Sequence, residues 1–227
     1  MPLLSITQTS DDCRLAVWNI TEQPHSLVDA YPQLSHAFNN VSVRFKSLRR
    51  RQEYLAIRAL LINLSDGCLP EVVYDSNGRP SLSDGRNVSF SHTNGYAVVM
   101  MADSSEVGVD IEQRSDRVAR VAHLFLRDDE MTSSVEAMLV MWSAKEAVYK
   151  LFSDQHLTFQ EMRVRRFSPS HEGTLVVENL KSGLMVEVHY VLNDEYVLTM
   201  CSMNVMADHG PYTSQAPVPR SKEDENE

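Results

Sequence analysis

Cysteine is scarce in this chain and badly placed for cross-linking. Cys13, Cys68 and Cys201 are odd in number and far apart, and none belongs to a Cys-X-X-Cys pair or a Cys/His set at zinc spacing. That excludes a disulfide scaffold and a structural zinc site, and it fits a reducing cytoplasm. Basic residues are outnumbered, 21 Lys and Arg against 31 Asp and Glu, leaving a formal charge of −10. Nucleic acid phosphate would be repelled by such a chain as a whole, so no nucleic acid partner is expected, and any bound anion must be held by a local basic cluster. Long apolar runs are missing too. Stretches such as Tyr96–Ala102 fall far short of the roughly 20 residues that span a bilayer, and the N-terminus lacks a basic start followed by an apolar segment. A cytoplasmic protein without a membrane partner is the expectation. Aromatic residues make up only 7%, but the chain is 43% hydrophobic and 23% charged over 227 residues, the composition of a globular protein with a sizeable core.

The length admits one large domain or two modest ones. Leu15–Ile20 reads as a strand, and Pro24 and Pro32 punctuate a short helix carrying Leu27, Val28 and Leu34. From Leu48 to Leu64 a broad apolar face stands opposite Arg49, Arg50, Arg51 and Arg58, which predicts a long helix ended by Ser65-Asp-Gly67. Short strands follow at 71–74, 88–92 and 96–102, with an Asn-Gly turn signal at Asn77-Gly78. The second half opens with a strand over 107–112, then helices over about 116–125 and 134–152. Strands follow at 162–167, 174–180, 184–191 and 196–203, the middle pair joined by a turn at Ser182-Gly183. Each half reads as strand, helices, then antiparallel strands. The expectation is an α+β fold of two similar halves, 1–105 and 106–205, related by a pseudo-twofold axis with the active site between them. Residues 206–227, ending in Lys-Glu-Asp-Glu-Asn-Glu, read as a flexible acidic tail.

Four short segments could carry chemistry. In Gly108-Val-Asp-Ile-Glu112 the strand period of two puts Asp110 and Glu112 on one face. Two adjacent acids repel unless something positive joins them, and Mg²⁺ takes one or two carboxylates plus water and substrate phosphate. Two solvated acids on a half-exposed strand would look the same. In Trp142-Ser-Ala-Lys-Glu-Ala-Val-Tyr-Lys150 the helical repeat aligns Trp142, Glu146 and Lys150, while Lys145 points roughly a quarter turn away. A Glu followed four residues later by Lys is also an ordinary surface pair. In Phe90-Ser-His-Thr-Asn-Gly95, His92 leaves a strand just before a turn, and Gly78-Arg-Pro80 places Arg79 in another turn.

Taken together and in this order, Gly78-Arg-Pro80, Phe90-Ser-His-Thr-Asn94, Gly108-Val-Asp-Ile-Glu112 and Trp142-Ser-Ala-Lys-Glu-Ala-Val-Tyr-Lys150 resemble the 4′-phosphopantetheinyl transferases of the long, single-chain (surfactin-synthetase-activating) type. The resemblance covers about residues 10–205, most closely 78–152. It departs where the family's common Gly-Lys-Pro is Gly-Arg-Pro, and where Leu151-Phe-Ser-Asp-Gln-His-Leu157 replaces a glycine- and lysine-containing loop.

The resemblance implies an enzyme that moves the phosphopantetheine arm of coenzyme A onto a serine of an apo acyl or peptidyl carrier protein and releases 3′,5′-ADP. It implies that Asp110, Glu112 and Glu146 hold Mg²⁺. Lys150 would contact the phosphates near the leaving group, Glu146 is a candidate base, and His92 would meet the 3′-phosphate. Coenzyme A requires a basic pocket, for which Arg49, Arg50, Arg51, Arg58 and Arg79 are the supply. Arg51 and Arg58, nearly two helical turns apart, share a face and are the first choice. With both halves contributing to one site, the expected state is a monomer. Arg114, Arg117, Arg120 and Arg127 are candidates for meeting the acidic carrier protein, and Val118, Val121 and Phe125 either pack on the core or meet its apolar surface. The alternative is a non-catalytic coenzyme A or carrier-protein binding module of the same fold. Loss of a metal carboxylate or of Lys150 would favour it, and neither is lost.

Overall fold

A computed structural model describes residues 3–204. Eleven strands fall into two antiparallel sheets, each covered by helices. The first sheet takes β1 (Leu3–Gln8), β2 (Cys13–Asn19), β3 (Val72–Tyr74), β4 (Pro80–Leu82), β5 (Asn87–Thr93) and β6 (Tyr96–Ala102), in the order β1-β2-β6-β5-β4-β3. Between β2 and β3 run α1 (Pro24–Ala30), α2 (Ser35–Arg44) and α3 (Leu48–Leu64). The second sheet takes β7 (Glu106–Gln113), β8 (Met162–Val164), β9 (Glu172–Asn179), β10 (Met185–Leu192) and β11 (Tyr196–Met203), in the order β7-β11-β10-β9-β8. Two helices, α4 (Val118–Phe125) and α5 (Val135–Leu151), lie between β7 and β8. Helices plus two antiparallel sheets make an α+β protein. The expected acidic tail, 206–227, lies outside the described residues.

Strands buried on both faces lose the usual apolar-polar alternation, and all seven residues of β6 are buried. Ala97, Val99 and Met101 face α3 together with Ala16 and Trp18 of β2. Val98 and Met100, with Leu15 and Val17, face the other way and meet Val107, Val109, Ile111 and Leu198 of the second sheet. The two sheets therefore share an apolar layer. Opposite that layer, α5 packs on the second sheet with Val140, Ala144, Ala147 and Val148 fully buried. Its N-terminus is capped by Ser134, whose hydroxyl accepts from the Ala137 N–H at 3.1 Å.

Only Asp103–Ser105 connect β6 to β7, and the Asp12 carboxylate accepts all three of their backbone N–H groups, at 3.1, 3.0 and 2.7 Å. The Ser105 side chain first, and then these backbone bonds, hold the Asp12 carboxyl below its ordinary range against the effect of burial. The free edge of β7 is closed by side chains of β5. Ser89 Oγ accepts from the Val109 N–H and Thr93 Oγ1 from the Gln113 N–H, both at 3.1 Å. Unpaired edge groups that would otherwise need water are thereby satisfied. Ser89 and Thr93 both reach β7 because the strand period of two points them to the same face.

Gly108 sets how closely α5 approaches β7: a Cβ built there would stand 2.1 Å from the Ala147 carbonyl oxygen. Backbone on both sides leaves nothing flexible to yield. Gly108→Ala is expected to lower unfolding stability by about 1–3 kcal/mol or more through overpacking, read from the midpoint of urea denaturation. A midpoint equal to that of the native protein would show that α5 does not bear on β7 there.

Candidate active site

Asp110 projects from β7 toward α5 and is 3% exposed. Its Oδ1 accepts from Lys150 Nζ at 2.7 Å and from Ser91 Oγ at 2.8 Å, and its Oδ2 from Ser143 Oγ at 2.9 Å. Lys150 also donates to the Val109 carbonyl at 2.9 Å. Ser143 is itself placed by Thr199 of β11, whose hydroxyl donates to the Ser143 carbonyl at 2.8 Å. Two strands and one helix thus converge on a single carboxylate.

Glu112 lies two residues along the same face, and Trp142 Nε1 donates to its Oε1 at 3.1 Å. The indole is wedged between Phe125 and Phe159, at centroid separations of 5.1 Å each, so Glu112 has a rigid donor. Burial first, and the Asp110 charge second, push the Glu112 carboxyl above its ordinary range. Glu146 stands one turn before Lys150. Burial and the Asp110 charge push its carboxyl up to about 7, with Glu112 adding to the shift and Lys150 opposing it. Glu112 and Glu146 therefore both sense the Asp110 charge. Among the described residues, however, no three His, Cys, Asp or Glu side chains are disposed to hold a metal ion as they stand. Asp110 is turned to Lys150 and two serines instead.

Lys145, the lysine beside Glu146, plays a different part. It is fully buried and donates to Glu130 Oε2 at 2.6 Å and to the carbonyls of Phe125 and Phe159 at 2.8 and 3.2 Å. Glu130 in turn accepts from the Val164 and Arg127 N–H groups. Removing one partner of such a buried pair costs about 3–5 kcal/mol. This clamp ties α5 to the end of α4 and to β8, which fixes the helix that carries Trp142, Glu146 and Lys150.

Two clefts open beside this cluster, one reached by Lys150 and the other by Glu112. One, of about 550 Å³, is walled by Arg44, Arg50, Arg58, Tyr54, His92 and Lys150. The Arg58 guanidinium lies 3.3 Å over the Tyr54 ring. His92 is coupled to α3: its Nε2 is 3.0 Å from Arg50 Nη1 and its Nδ1 3.5 Å from Glu53 Oε2. Burial is the chief reason that the imidazole holds its proton less readily than usual. The other cleft, of about 400 Å³, is lined by Glu112, Trp142, Arg49, Arg117, Val118 and Val121.

Most of the residues singled out in the sequence lie together here: Asp110, Glu112, Glu146, Lys150, His92 and Arg58. Of the expected donor-binding residues, two line neither cleft. Arg51 donates through Nε to the Phe45 carbonyl at 2.7 Å, bracing the segment before α3. Arg79 pairs with Glu106 at the start of β7. Their places on the basic wall are taken by Arg44 and Arg50. On the α4 side, Arg114 is tied to Glu136 and Asp194, and Arg127 to Asp129, whereas Arg117 and Arg120 are exposed. Val118 and Phe125 pack inward, and Val121 is exposed. Sequence reasoning missed Glu53, Ser91 and Ser143. Arg49 and Arg50 at four and three residues before Glu53, and Ser89, Ser91 and Thr93 in alternation, were the available signals.

Residues 106–201 match the family model described as the 4′-phosphopantetheinyl transferase superfamily. Over 113 residues the chain is 31% identical to the 4′-phosphopantetheinyl transferase AcpT of Salmonella typhimurium, which is 44% of this chain and 58% of the relative. It is 30% identical over 113 residues to the AcpT of Escherichia coli K12, covering 44% of this chain and 57% of that protein. The chain thus spans somewhat over half the length of the curated relatives it matches. No helix among the described residues is long and apolar enough to cross a membrane.

The Glu146 shift has a consequence for stability. Its folded carboxyl binds a proton more tightly than the unfolded one, so in metal-free solution ionising it weakens the fold as pH rises from about 4.5 to about 7. The cost is complete above that window and absent below it. Glu146→Gln should therefore melt higher than the native protein at pH 8, with the gap closing toward pH 4.5. A gap independent of pH would show that Glu146 is not a strained acid.

Proposed function

We propose that this chain transfers the 4′-phosphopantetheine arm of coenzyme A to a serine hydroxyl of an apo acyl or peptidyl carrier protein, releasing 3′,5′-ADP. The observation that carries the reading is the cluster of Asp110, Glu112, Glu146 and Lys150 set between a basic cleft and a second, mixed cleft. The family match over 106–201 supports the same reaction class. An anionic donor needs cations, which Arg44, Arg50, Arg58, His92 and Lys150 supply in a protein that is acidic overall. Both clefts and all the acids come from one chain, which supports a monomeric enzyme of the long, single-chain type.

The serine oxygen attacks the pyrophosphate phosphorus nearer the pantetheine. A new P–O bond forms as the bond to the bridging oxygen breaks, and the electron pair leaves with 3′,5′-ADP. The hydroxyl proton passes to Glu146, whose raised carboxyl suits a base near neutral pH. Lys150, held at the cleft by Asp110 and the Val109 carbonyl, is placed to stabilise charge on the leaving phosphate. His92 and Arg50 meet the 3′-phosphate. Asp110, Glu112 and Glu146 would hold Mg²⁺. Hard carboxylate oxygens, with Asp110 raising the proton affinity of Glu112 and Glu146, are a donor set that suits this ion. When bound, it would neutralise pyrophosphate oxygens.

Carrier docking falls to α4. Arg117, Arg120, Val121 and Leu124 fall at the spacing of one helical stripe, all are exposed, and Arg117 and Val121 line the cleft that contains Glu112. A mixed basic and apolar stripe suits the acidic helix beside the serine of a carrier protein, with the arginines acting mainly on association rate.

Mass spectrometry of apo carrier proteins incubated with the protein, coenzyme A and Mg²⁺ tests this. The expected result is a gain of one phosphopantetheine, abolished by Glu112→Gln in protein that still folds by circular dichroism. Asp110 is the poorer site to mutate, because it also bonds both sheets to α5. Reversing Arg117 and Arg120 to Glu should raise KM for the carrier several-fold, leave that for coenzyme A nearly unchanged, and matter less at high salt. No gain of mass with any carrier, or full turnover by Glu112→Gln, would overturn the reading.

A further inference from the structure

Glu53 is an acid on the floor of a cleft whose walls carry Arg44, Arg50, Arg58, His92 and Lys150. An anion-binding cleft gains nothing from a bare carboxylate, so its presence needs a reason. The side chain is 3% exposed, and both oxygens are taken: Oε1 accepts from Arg49 Nε at 2.7 Å and Oε2 from Arg50 Nη1 at 3.0 Å. Those two arginines are more than half exposed. Left alone, such long side chains would sample many rotamers. Glu53 ties each by its guanidinium and divides them, Arg50 to the basic cleft and Arg49 to the cleft containing Glu112.

The same carboxylate orients His92. A guanidinium has no acceptor, so at the 3.0 Å contact between Arg50 Nη1 and His92 Nε2 the imidazole nitrogen accepts. The ring proton then sits on Nδ1, which faces Glu53 Oε2 at 3.5 Å. Arg50 uses Nη1 for both Glu53 and His92, leaving its Nε and Nη2 hydrogens to an incoming anion.

We propose that Glu53 is a positioning residue for the phosphate-binding end of the donor site, presetting the Arg50 fork, braced by the ring of His92, as the grip on a phosphate monoester of the donor. The inference rests on the transferase reading given above. It assigns Glu53 no contact with substrate: its effect runs through the fork of Arg50 and the ring of His92, and is felt in donor affinity.

The test is calorimetric binding of coenzyme A and of 3′-dephospho-coenzyme A to the full chain, alongside steady-state transfer kinetics. Glu53→Gln should weaken coenzyme A binding on the order of tenfold, the scale of a lost charge-assisted hydrogen bond. Binding of the dephospho form should barely change. KM for coenzyme A should rise while kcat and KM for the carrier stay within about twofold. Adding Arg50→Ala should cost little more, because the two act as a unit. Should Glu53→Gln fail to fold, Arg50→Lys keeps the charge but loses the fork and must show the same selective loss. Unchanged coenzyme A affinity, equal loss for both ligands, or a fall in kcat with both KM values rising together would overturn the role of Glu53 while leaving the transferase reading intact. A native protein that binds neither ligand would overturn both.

Discussion

One buried carboxylate organises this molecule. Asp110 is nearly sealed from water, and an uncompensated charge there would be prohibitively costly, so donors must come to it. They come from three places: Ser91 on β5 of the first sheet, and Ser143 and Lys150 on α5 above the second. Satisfying Asp110 therefore docks the sheets together and seats the helix. Gly108, two residues earlier, lets α5 come close enough for those bonds to form. The same face of β7 then carries Glu112 beside Trp142, and the same face of α5 carries Glu146. Contacts that hold the fold thus also assemble the chemical groups, and the two cannot be separated by mutation at Asp110.

Electrostatics explains how a protein that is acidic overall can present a basic cleft. Charge is sorted locally: carboxylates gather along β7 and α5, while guanidiniums gather on α2 and α3 across the cleft, with Lys150 at the boundary. Glu53 supports this sorting, since a buried acid shared by two arginines leaves a positive balance and a fixed geometry. On the far side, Lys145 and Glu130 form a sealed pair that ties α5 to the end of α4 and to β8.

Much of this was legible in the chain. The strand and helix that bear Asp110, Glu112, Glu146 and Lys150 follow from period-two and helical spacing, and the elements from α3 onward lie within a few residues of their expected bounds, β4 apart. β1 was missed because it is an edge strand whose Leu4 and Ile6 are exposed, and α2 because only Val41 is buried along its length. β4 has three residues, too few to show a period. The preference for Arg51 over Arg50 came from helical spacing alone. A long guanidinium reaches several ångströms, and its destination depends on what stands nearby: the Phe45 carbonyl for Arg51, Glu53 and His92 for Arg50. Similarly, Ser91 looks like any strand serine until β7 is laid beside it.

The central claim of the proposed function is that Asp110, Glu112 and Glu146 form one acidic cluster that a divalent cation completes. Thermal unfolding of the native protein and of Glu112→Gln at neutral pH, with increasing Mg²⁺, tests it most directly, since a ligand that binds only the folded state raises the melting temperature. The account predicts a saturable rise for the native protein, largely lost in Glu112→Gln. No rise in the native protein, or an equal rise in both, would contradict it.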